Sequence, residues 1–277
     1  MHHRPRKRFS QNFLVDRHYI QRIVDAIAPR AGDMLVEIGP GRGALTRPLL
    51  ERVDRLTVIE IDRDLAGALQ SAFPSDRLAV RIEDALQTNL AQIGSRLRVV
   101  GNLPYHISSP LLFHCAQYAD HIEDMHFMLQ AEVVDRMAAR PATPEYGRLS
   151  VMLQAQFAVE KLFGVPAGAF NPVPAVESAV VRLTPLGTAR PEILDRMLFE
   201  AVVASGFGQR RKTLRNALQN HADANALVGL GIDPGVRAET LPVATFVAIA
   251  NFIAANPEAR LNSDRTPNPD RDGAPGQ

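Results

Sequence analysis

The sequence predicts an α/β protein in which a doubly wound parallel sheet precedes a small helical domain. Short runs rich in Val, Ile and Leu alternate with stretches long enough for a helix, which is typical of parallel strands joined by crossover helices. These runs stop near Arg190, and apolar residues then recur at helical spacing. A chain of 277 residues that is 46% hydrophobic is long enough for one full-sized domain and a smaller one.

The predicted order of elements begins with a helix over residues 19–27, where Ile20, Ile23, Val24 and Ile27 recur at helical spacing. The predicted parallel strands follow at residues 34–38, 56–61, 78–82, 97–100 and 125–129. Two further segments, 150–159 and 178–183, are expected to add antiparallel edge strands. Between them, Pro166, Pro172 and Pro174 predict an extended loop, since proline fixes its backbone and lacks an N–H donor.

Composition divides the chain into regions. The first is a basic N-terminal arm over residues 1–18, with Arg4, Arg6, Lys7 and Arg8. It is followed by an α/β domain over 19–186, a helical domain over 187–255 and a polar tail over 256–277 that we expect to be disordered.

Composition also excludes several classes of protein. A single cysteine, Cys115, rules out an internal disulfide framework and indicates a reducing compartment. No apolar stretch approaches the ~20 residues that span a bilayer, so we expect a cytoplasmic protein. The formal net charge of +1 argues against a strongly basic nucleic-acid binder when it is taken alone.

A glycine-rich loop follows the first predicted strand. Gly39, Gly41 and Gly43 alternate there, and a helix-forming stretch begins directly after them. A ligand can lie against the backbone only where no Cβ intervenes, so this loop is a candidate cofactor site. Its GxGxG spacing departs from the GxGxxG fingerprint of dinucleotide-binding proteins, and a turn that binds nothing remains the alternative.

Acidic residues follow the next two predicted strands, Glu60 at the end of the second and Asp84 after the third. Open α/β sheets bind ligands at the carboxyl ends of their strands, so both acids are expected near the glycine loop. Glu60 can accept hydrogen bonds from ribose hydroxyls, and Asp84 from an adenine amino group. For Asp84, a helix N-cap is an equally good interpretation.

The segment Gly101-Asn102-Leu103-Pro104-Tyr105 follows the fourth predicted strand. Together with the glycine loop and the two acids, it resembles S-adenosylmethionine-dependent adenine-N6 methyltransferases, and more closely the small-subunit ribosomal RNA adenine dimethyltransferase family (the KsgA or RsmA family). Further stretches that resemble this family lie at residues 7–14, 124–130, 146–151, 170–174 with Val176 and Ser178, and 209–216.

The resemblance implies a Rossmann-like S-adenosylmethionine-dependent methyltransferase domain with a small C-terminal helical domain that binds RNA. The implied catalytic residues are Asn102, Leu103, Pro104, Tyr105 and Phe170, and the implied cofactor contacts are Asn12, Leu14, Gly39, Glu60, Asp84 and Asn102. The Asn102 side-chain oxygen and the Leu103 carbonyl would bind both protons of the adenine amine, while Tyr105 and Phe170 would sandwich the flipped base. For either aromatic residue alone, a place in the hydrophobic core is the alternative.

The implied substrate is a pair of adjacent adenosines near the 3′ end of 16S ribosomal RNA in the small (30S) ribosomal subunit, each dimethylated during ribosome biogenesis. Arg210, Arg211, Lys212 and Arg215 are the expected RNA contacts, and Arg211 and Arg215 would share a helix face. A solvated charged surface is the alternative for this cluster. The resemblance implies no metal, and we expect a monomer.

Other functions remain open at this point. A large-subunit ribosomal RNA methylase would share the chemistry and differ mainly in the C-terminal domain. A non-catalytic RNA-binding assembly or transcription factor could use the same scaffold, although the intact Asn102 to Tyr105 motif argues against lost activity. A nicotinamide oxidoreductase is disfavoured by the GxGxG spacing.

Overall fold

A computed structural model describes residues 12–209 and 211–256 of the chain. The described residues divide into two compact units. The first contains the residues up to Arg140 and those of Leu153–Arg190, and the second contains Pro141–Met152 and the residues from Pro191 onward. The segment Pro141–Met152, which the sequence-based division includes in the α/β domain, therefore groups with the helical unit. The expected N-terminal arm up to residue 11 and the tail from residue 257 lie outside the described residues.

The first unit contains a seven-stranded sheet with the order β4-β3-β2-β5-β6-β9-β7. The strands are β1 (Phe13–Leu14), β2 (Met34–Ile38), β3 (Leu56–Ile59), β4 (Leu78–Arg81), β5 (Leu97–Asn102), β6 (Ile122–Gln130), β7 (Phe157–Val165), β8 (Phe170–Asn171) and β9 (Ser178–Pro185). Strands β2 to β6 are parallel, and β9 and β7 extend the sheet antiparallel. The predicted doubly wound α/β fold is confirmed, and its parallel strands lie where the sequence predicts them.

The α-helices of the described residues are α1 (Arg17–Ile27), α2 (Thr46–Leu50), α3 (Arg63–Ala72), α4 (Ser108–Ala116), α5 (Ala131–Ala138), α6 (Arg148–Gln154), α7 (Arg196–Gly208), α8 (Leu214–Ala217), α9 (Ala224–Gly229) and α10 (Val243–Ala255). The predicted first helix is confirmed within α1. Its N-terminus is capped by the Asp16 carboxylate, which accepts a hydrogen bond from the His18 N–H at 2.8 Å. No helix among the described residues is both long enough and apolar enough to cross a membrane.

Two expectations for the antiparallel part of the sheet are wrong. Residues 150–154 belong to helix α6, and strand β7 begins only at Phe157. The apolar run from Val151 to Leu153 is buried all round, and a short run of this kind has no period that separates a strand from a buried helix. The segment 178–183 does form a strand, but β9 lies between β6 and β7 and so has no free edge.

At the end of the sheet opposite the glycine loop, the buried Arg98 of β5 joins several elements. Its guanidinium makes two hydrogen bonds to Asp124, at 3.0 and 2.7 Å, and pairs with Asp33 at 2.6 Å. It also donates to the Ile27 carbonyl at the end of α1. This arginine joins α1 and the starts of β2 and β6 to β5. Because these contacts lie at the amino ends of the strands, the carboxyl ends remain available for a site.

The second unit has its own aromatic core. The Tyr146 hydroxyl donates to the Leu241 carbonyl at 2.9 Å, and its ring meets Phe207 edge to face. Phe207 in turn stacks on Phe246 of α10 at a centroid distance of 5.5 Å. Gly206 fits this core because a Cβ there would lie 3.2 Å from the Phe246 ring.

Candidate active site

A cavity of about 290 Å³ opens at the carboxyl ends of β2, β3, β4 and β5. This is the point where the strand order reverses, since β3 lies on one side of β2 and β5 on the other. All the cofactor contacts expected from the resemblance line this one cavity: Asn12, Leu14, Gly39, Glu60, Asp84 and Asn102. Leu103, Pro104 and Tyr105 line it as well.

The glycine loop takes the backbone conformation that its sequence predicts. Gly39, Gly41 and Gly43 have φ angles of 65°, 56° and 79°, which L side chains rarely adopt. The Gly39 N–H donates to the Ile59 carbonyl at 2.9 Å, which fixes the loop to the end of β3. At Gly39 and Gly41 the loop therefore presents backbone without a Cβ to the cavity.

Glu60 supports this loop directly. One carboxylate oxygen accepts the Gly41 N–H at 3.2 Å, and the other accepts the Asp62 N–H at 2.9 Å. Burial raises the pKa of Glu60, and these two backbone hydrogen bonds oppose that shift. Each carboxylate oxygen can accept more than one hydrogen bond, so Glu60 can hold the loop and still accept from a ligand hydroxyl.

The helix N-cap interpretation of Asp84 is wrong, because no α-helix directly follows this residue. One carboxylate oxygen accepts the Leu86 N–H at 2.9 Å, which resembles a cap, but the residues that follow form a turn and not an α-helix. Asp84 is half-buried and lines the cavity. Its turn thus fixes the carboxylate at the cavity wall.

Glu37 and Ile61 are lining residues that the sequence did not single out. Glu37 of β2 is 2% exposed, and burial raises its pKa to about 7 despite a 2.7 Å hydrogen bond from the Thr46 hydroxyl. The signal in the sequence was an acid inside an otherwise apolar strand. Ile61 is 51% exposed where β3 ends, and it gives the cavity an apolar wall suited to a flat aromatic ring.

The short strand β1 brings the N-terminal residues of the described chain to the cavity. It pairs antiparallel with β8, so that Leu14 lies opposite Phe170. The Phe13 ring packs against the glycine loop, since a Cβ on Gly41 would lie 3.2 Å from it. The Arg42 guanidinium covers the same ring at 4.3 Å from its centroid.

Asn102 is the last residue of β5, and its amide is oriented by a backbone contact. The side-chain Nδ2 donates to the Asn12 carbonyl at 3.2 Å, which directs Oδ1 to act as the acceptor. The preceding Gly101 permits a close approach of strands, because a Cβ there would lie 2.5 Å from the Ile38 carbonyl oxygen. Leu103 is held by its N–H, which donates to the Met128 carbonyl at 3.1 Å.

The two aromatic residues expected at the target base differ in position. Tyr105 lies in a single 3₁₀ turn, is half-buried and lines the cavity. Phe170 is 2% exposed, packs in the hydrophobic core with Leu14 and Val180, and is not among the residues that line the cavity. The alternative that the sequence left open, a place in the hydrophobic core, therefore describes Phe170, whose ring would have to be uncovered before it could stack on a base.

The expected RNA contacts belong to the second unit. Arg211, Lys212 and Arg215 are exposed, whereas Arg210 lies outside the described residues. The expectation that Arg211 and Arg215 share a helix face is wrong, because Thr213 is extended and α8 begins only at Leu214. The charges lie instead along a turn and the start of a short helix.

Among the described residues, no group of three or more His, Cys, Asp or Glu side chains is arranged to hold a metal ion. The cavity suits a nucleoside ligand with a cationic group instead. Its wall combines a glycine cradle, carboxylates at Glu37, Glu60 and Asp84, and an apolar side chain at Ile61. The residues present therefore fit S-adenosylmethionine, which joins an adenosine to a sulfonium.

Comparisons with known proteins agree with this geometry. The family described as Ribosomal RNA adenine dimethylase matches residues 2–255. Proteins named Ribosomal RNA small subunit methyltransferase A are similar to the chain. The one from Thiobacillus denitrificans is 56% identical over 252 residues, covering 91% of this chain and 99% of the relative. The one from Aromatoleum aromaticum is 55% identical over 262 residues, covering 94% and 99%.

Solved structures are similar as well. A dimethyladenosine transferase from Plasmodium falciparum superposes with a TM-score of 0.75 at 24% identity, covering 86% of this chain and 95% of that one, which bears on the fold alone. The 23S rRNA methyltransferase ErmE superposes with a TM-score of 0.67 at 28% identity, covering 88% and 100%. With the fold, the cavity and the sequence in agreement over nearly its whole length, the chain belongs to the ribosomal RNA adenine dimethylase family.

Proposed function

We propose that this protein dimethylates the N6 amines of two adjacent adenosines in the loop near the 3′ end of 16S ribosomal RNA, with S-adenosylmethionine as the methyl donor. The observation that carries the proposal is the cavity that joins the glycine loop to Asn102, Leu103, Pro104 and Tyr105. The names of the relatives support a substrate in the small subunit over one in the large subunit.

In the proposed mechanism, the chain positions the amine and does not need a strong base. The exocyclic amine of adenine is a poor nucleophile because its lone pair is delocalised into the ring. Asn102 Oδ1 and the Leu103 carbonyl accept hydrogen bonds from its two N–H groups and favour a tetrahedral nitrogen whose lone pair is available. The methylated nitrogen releases its extra proton afterwards, so no base has to remove it beforehand. S-adenosylmethionine supplies an electrophilic methyl group and a good leaving group. Catalysis then rests on alignment and matched polarity.

The remaining site residues have supporting roles in this proposal. Pro104 has no N–H to compete for the acceptors and fixes the turn that follows Asn102. Tyr105 stacks on the target base, and Phe170 also stacks on it once the Phe170 ring is uncovered. Gly39, Glu60 and Asp84 hold the adenosine part of the donor. Asn12, just before β1, and Leu14, within it, close the cavity.

Binding of the subunit is proposed to use the exposed cations of the second unit. Arg211, Lys212 and Arg215, together with Arg210, would contact phosphates and so add affinity without reading sequence. We propose that the protein acts as a monomer on the 30S subunit or its precursor, in the cytoplasm, as a step of ribosome biogenesis.

The proposal is tested by mapping N6,N6-dimethyladenosine in both ribosomal RNAs of cells that lack the protein. Loss of the modification at two adjacent 16S positions, restored by the wild-type gene and not by an Asn102→Ala variant, is expected. A loss confined to 23S RNA would favour the second candidate, a large-subunit methylase, to which the similarity to ErmE points. Unchanged modification in both RNAs would contradict methyltransferase activity altogether.

A further inference from the structure

Ser178 makes a direct contact with the candidate active site. Its hydroxyl lies 2.8 Å from the Tyr105 hydroxyl, a distance typical of an O–H···O hydrogen bond. Ser178 is 1% exposed, whereas Tyr105 is half-buried and lines the cavity. A buried hydroxyl needs a hydrogen-bond partner, and for Ser178 that partner is the hydroxyl of Tyr105, a residue that lines the cavity.

The two residues differ in how firmly their backbones are held. Ser178 begins β9 and is paired on both sides, with Gln130 of β6 and with Val165 of β7. The neighbouring Glu177 carbonyl accepts the Ala131 N–H at 3.0 Å. Tyr105 lies outside the sheet, in a single 3₁₀ turn after Pro104. Ser178 is therefore the fixed partner, and the Tyr105 ring is the one whose orientation the bond can set.

We propose that Ser178 is a positioning residue for methyl transfer, which holds the Tyr105 ring in the plane where it stacks on the target adenine. The inference rests on the proposed function, because it assumes that Tyr105 meets the base. A ring tied at its hydroxyl loses rotation about its side-chain bonds before the base arrives. Less conformational entropy is then lost when the base binds, and the amine approaches Asn102 in a narrower range of orientations.

The test is a double-mutant cycle with Ser178→Ala and Tyr105→Phe, each of which removes one hydroxyl. Small ribosomal subunits that lack the methylation serve as substrate, and wild-type turnover is measured first. We expect each single variant to lower kcat roughly two- to tenfold, with the Kd for S-adenosylmethionine unchanged. The double variant should be no slower than the slower single variant, because both remove the same bond.

A matched control separates positioning from stability. Ser150 is 0% exposed, and its hydroxyl accepts the Gly147 N–H at 3.1 Å in the second unit. Ser150→Ala should lower the melting temperature and leave kcat unchanged, whereas Ser178→Ala should lower kcat in protein that still binds S-adenosylmethionine at full stoichiometry.

Several results would overturn the inference. One is wild-type kcat in Ser178→Ala, and another is a double variant whose loss is the product of the two single losses. If Ser178→Ala does not fold, Tyr105→Phe carries the test alone, since wild-type kcat without that hydroxyl contradicts the role. A wild-type protein that transfers no methyl group would instead contradict the proposed function.

Discussion

Glu60 acts on the glycine loop and faces the cavity at the same time. Its carboxylate accepts the Gly41 N–H, so the loop conformation depends on it even before a ligand binds. This dual position explains why an acid is needed at the end of β3. A carboxylate that only bound ribose would not affect the loop in the absence of a ligand, whereas Glu60 does. The resemblance named Glu60 as a cofactor contact, but the hydrogen bond to the loop could be read only from the structure.

A Glu60→Gln variant keeps the shape of this side chain and removes its charge. We expect the Kd for S-adenosylmethionine to rise about tenfold or more, because hydrogen bonds to a charged group contribute roughly 1.5–3 kcal/mol. Isothermal titration calorimetry measures this directly. Glu123→Gln, on the exposed part of β6, is the matched control and should leave the Kd unchanged. An unchanged Kd in Glu60→Gln would remove Glu60 from the binding site.

Glu37 gives the ligand-free protein a specific pH dependence. Its pKa is raised from 4.5 to about 7 in the folded protein by burial. Between these pH values the folded state holds a proton that the unfolded state has released. The stability that the protonated Glu37 contributes at low pH is therefore lost as the pH rises from 4.5 through 7. Relative to wild type, Glu37→Gln should gain stability over that range, by at most about 3 kcal/mol. Urea midpoints at pH 5 and pH 8 measure the difference, and an equal offset at both pH values would refute it.

Among the elements of the sheet, the parallel strands were predictable, whereas the antiparallel part was predicted only in part: the strand at 178–183 is confirmed, but its edge position and the strand start at 150 are wrong. Strands β2 to β6 contain short runs rich in Val, Ile and Leu that end at turn residues, and both signals can be recognised in the sequence. The sequence did not predict helix α6, because its apolar residues are buried on all sides and therefore show no helical period. The sequence did not predict that Phe170 is buried, because the β1–β8 pairing that buries it joins residues far apart in the chain.

The centre of β6 carries a buried histidine that should make the protein acid-sensitive. Burial is the largest of the effects that lower the pKa of His126 to about 4; the Arg98 and Arg182 charges act in the same direction, and Asp124 and Glu160 oppose them. As the pH falls below 6.5, the unfolded chain gains a proton that the folded chain does not, so stability is lost. His126→Leu should reduce the loss between pH 7 and pH 5 by up to about 2 kcal/mol in urea unfolding. An equal loss in both proteins would contradict this.

At the scale of the whole molecule, the net charge of +1 conceals an uneven distribution. Carboxylates line the cavity of the first unit, while exposed cations collect between Gln209 and Asn216 in the second. The average charge was a poor guide to partners because recognition of phosphates depends on local charge density. The position of this cluster in the second unit follows from the sequence, but its local backbone does not.

Replacement of Arg210, Arg211 and Lys212 by alanine tests this distribution. Binding to small subunits should weaken, and the slope of log affinity against log salt should fall by about two if each cation meets a phosphate of single-stranded RNA. The control replaces Arg52, Arg96 and Arg196, which pair with acids, and it should change neither quantity. An unchanged salt slope in the first variant would show that this cluster is not the RNA surface.

We infer that the Asn102 to Tyr105 segment, beside the glycine-loop cavity, transfers methyl groups to ribosomal adenosines. The most direct test of this inference incubates the purified protein with labelled S-adenosylmethionine and small subunits that lack the modification, followed by mapping of the label. The account predicts two methyl groups on each of two adjacent 16S adenosines, and a rate lower by about a hundredfold or more with Asn102→Ala. Near-normal incorporation by Asn102→Ala, or no incorporation by the wild-type protein, would contradict it.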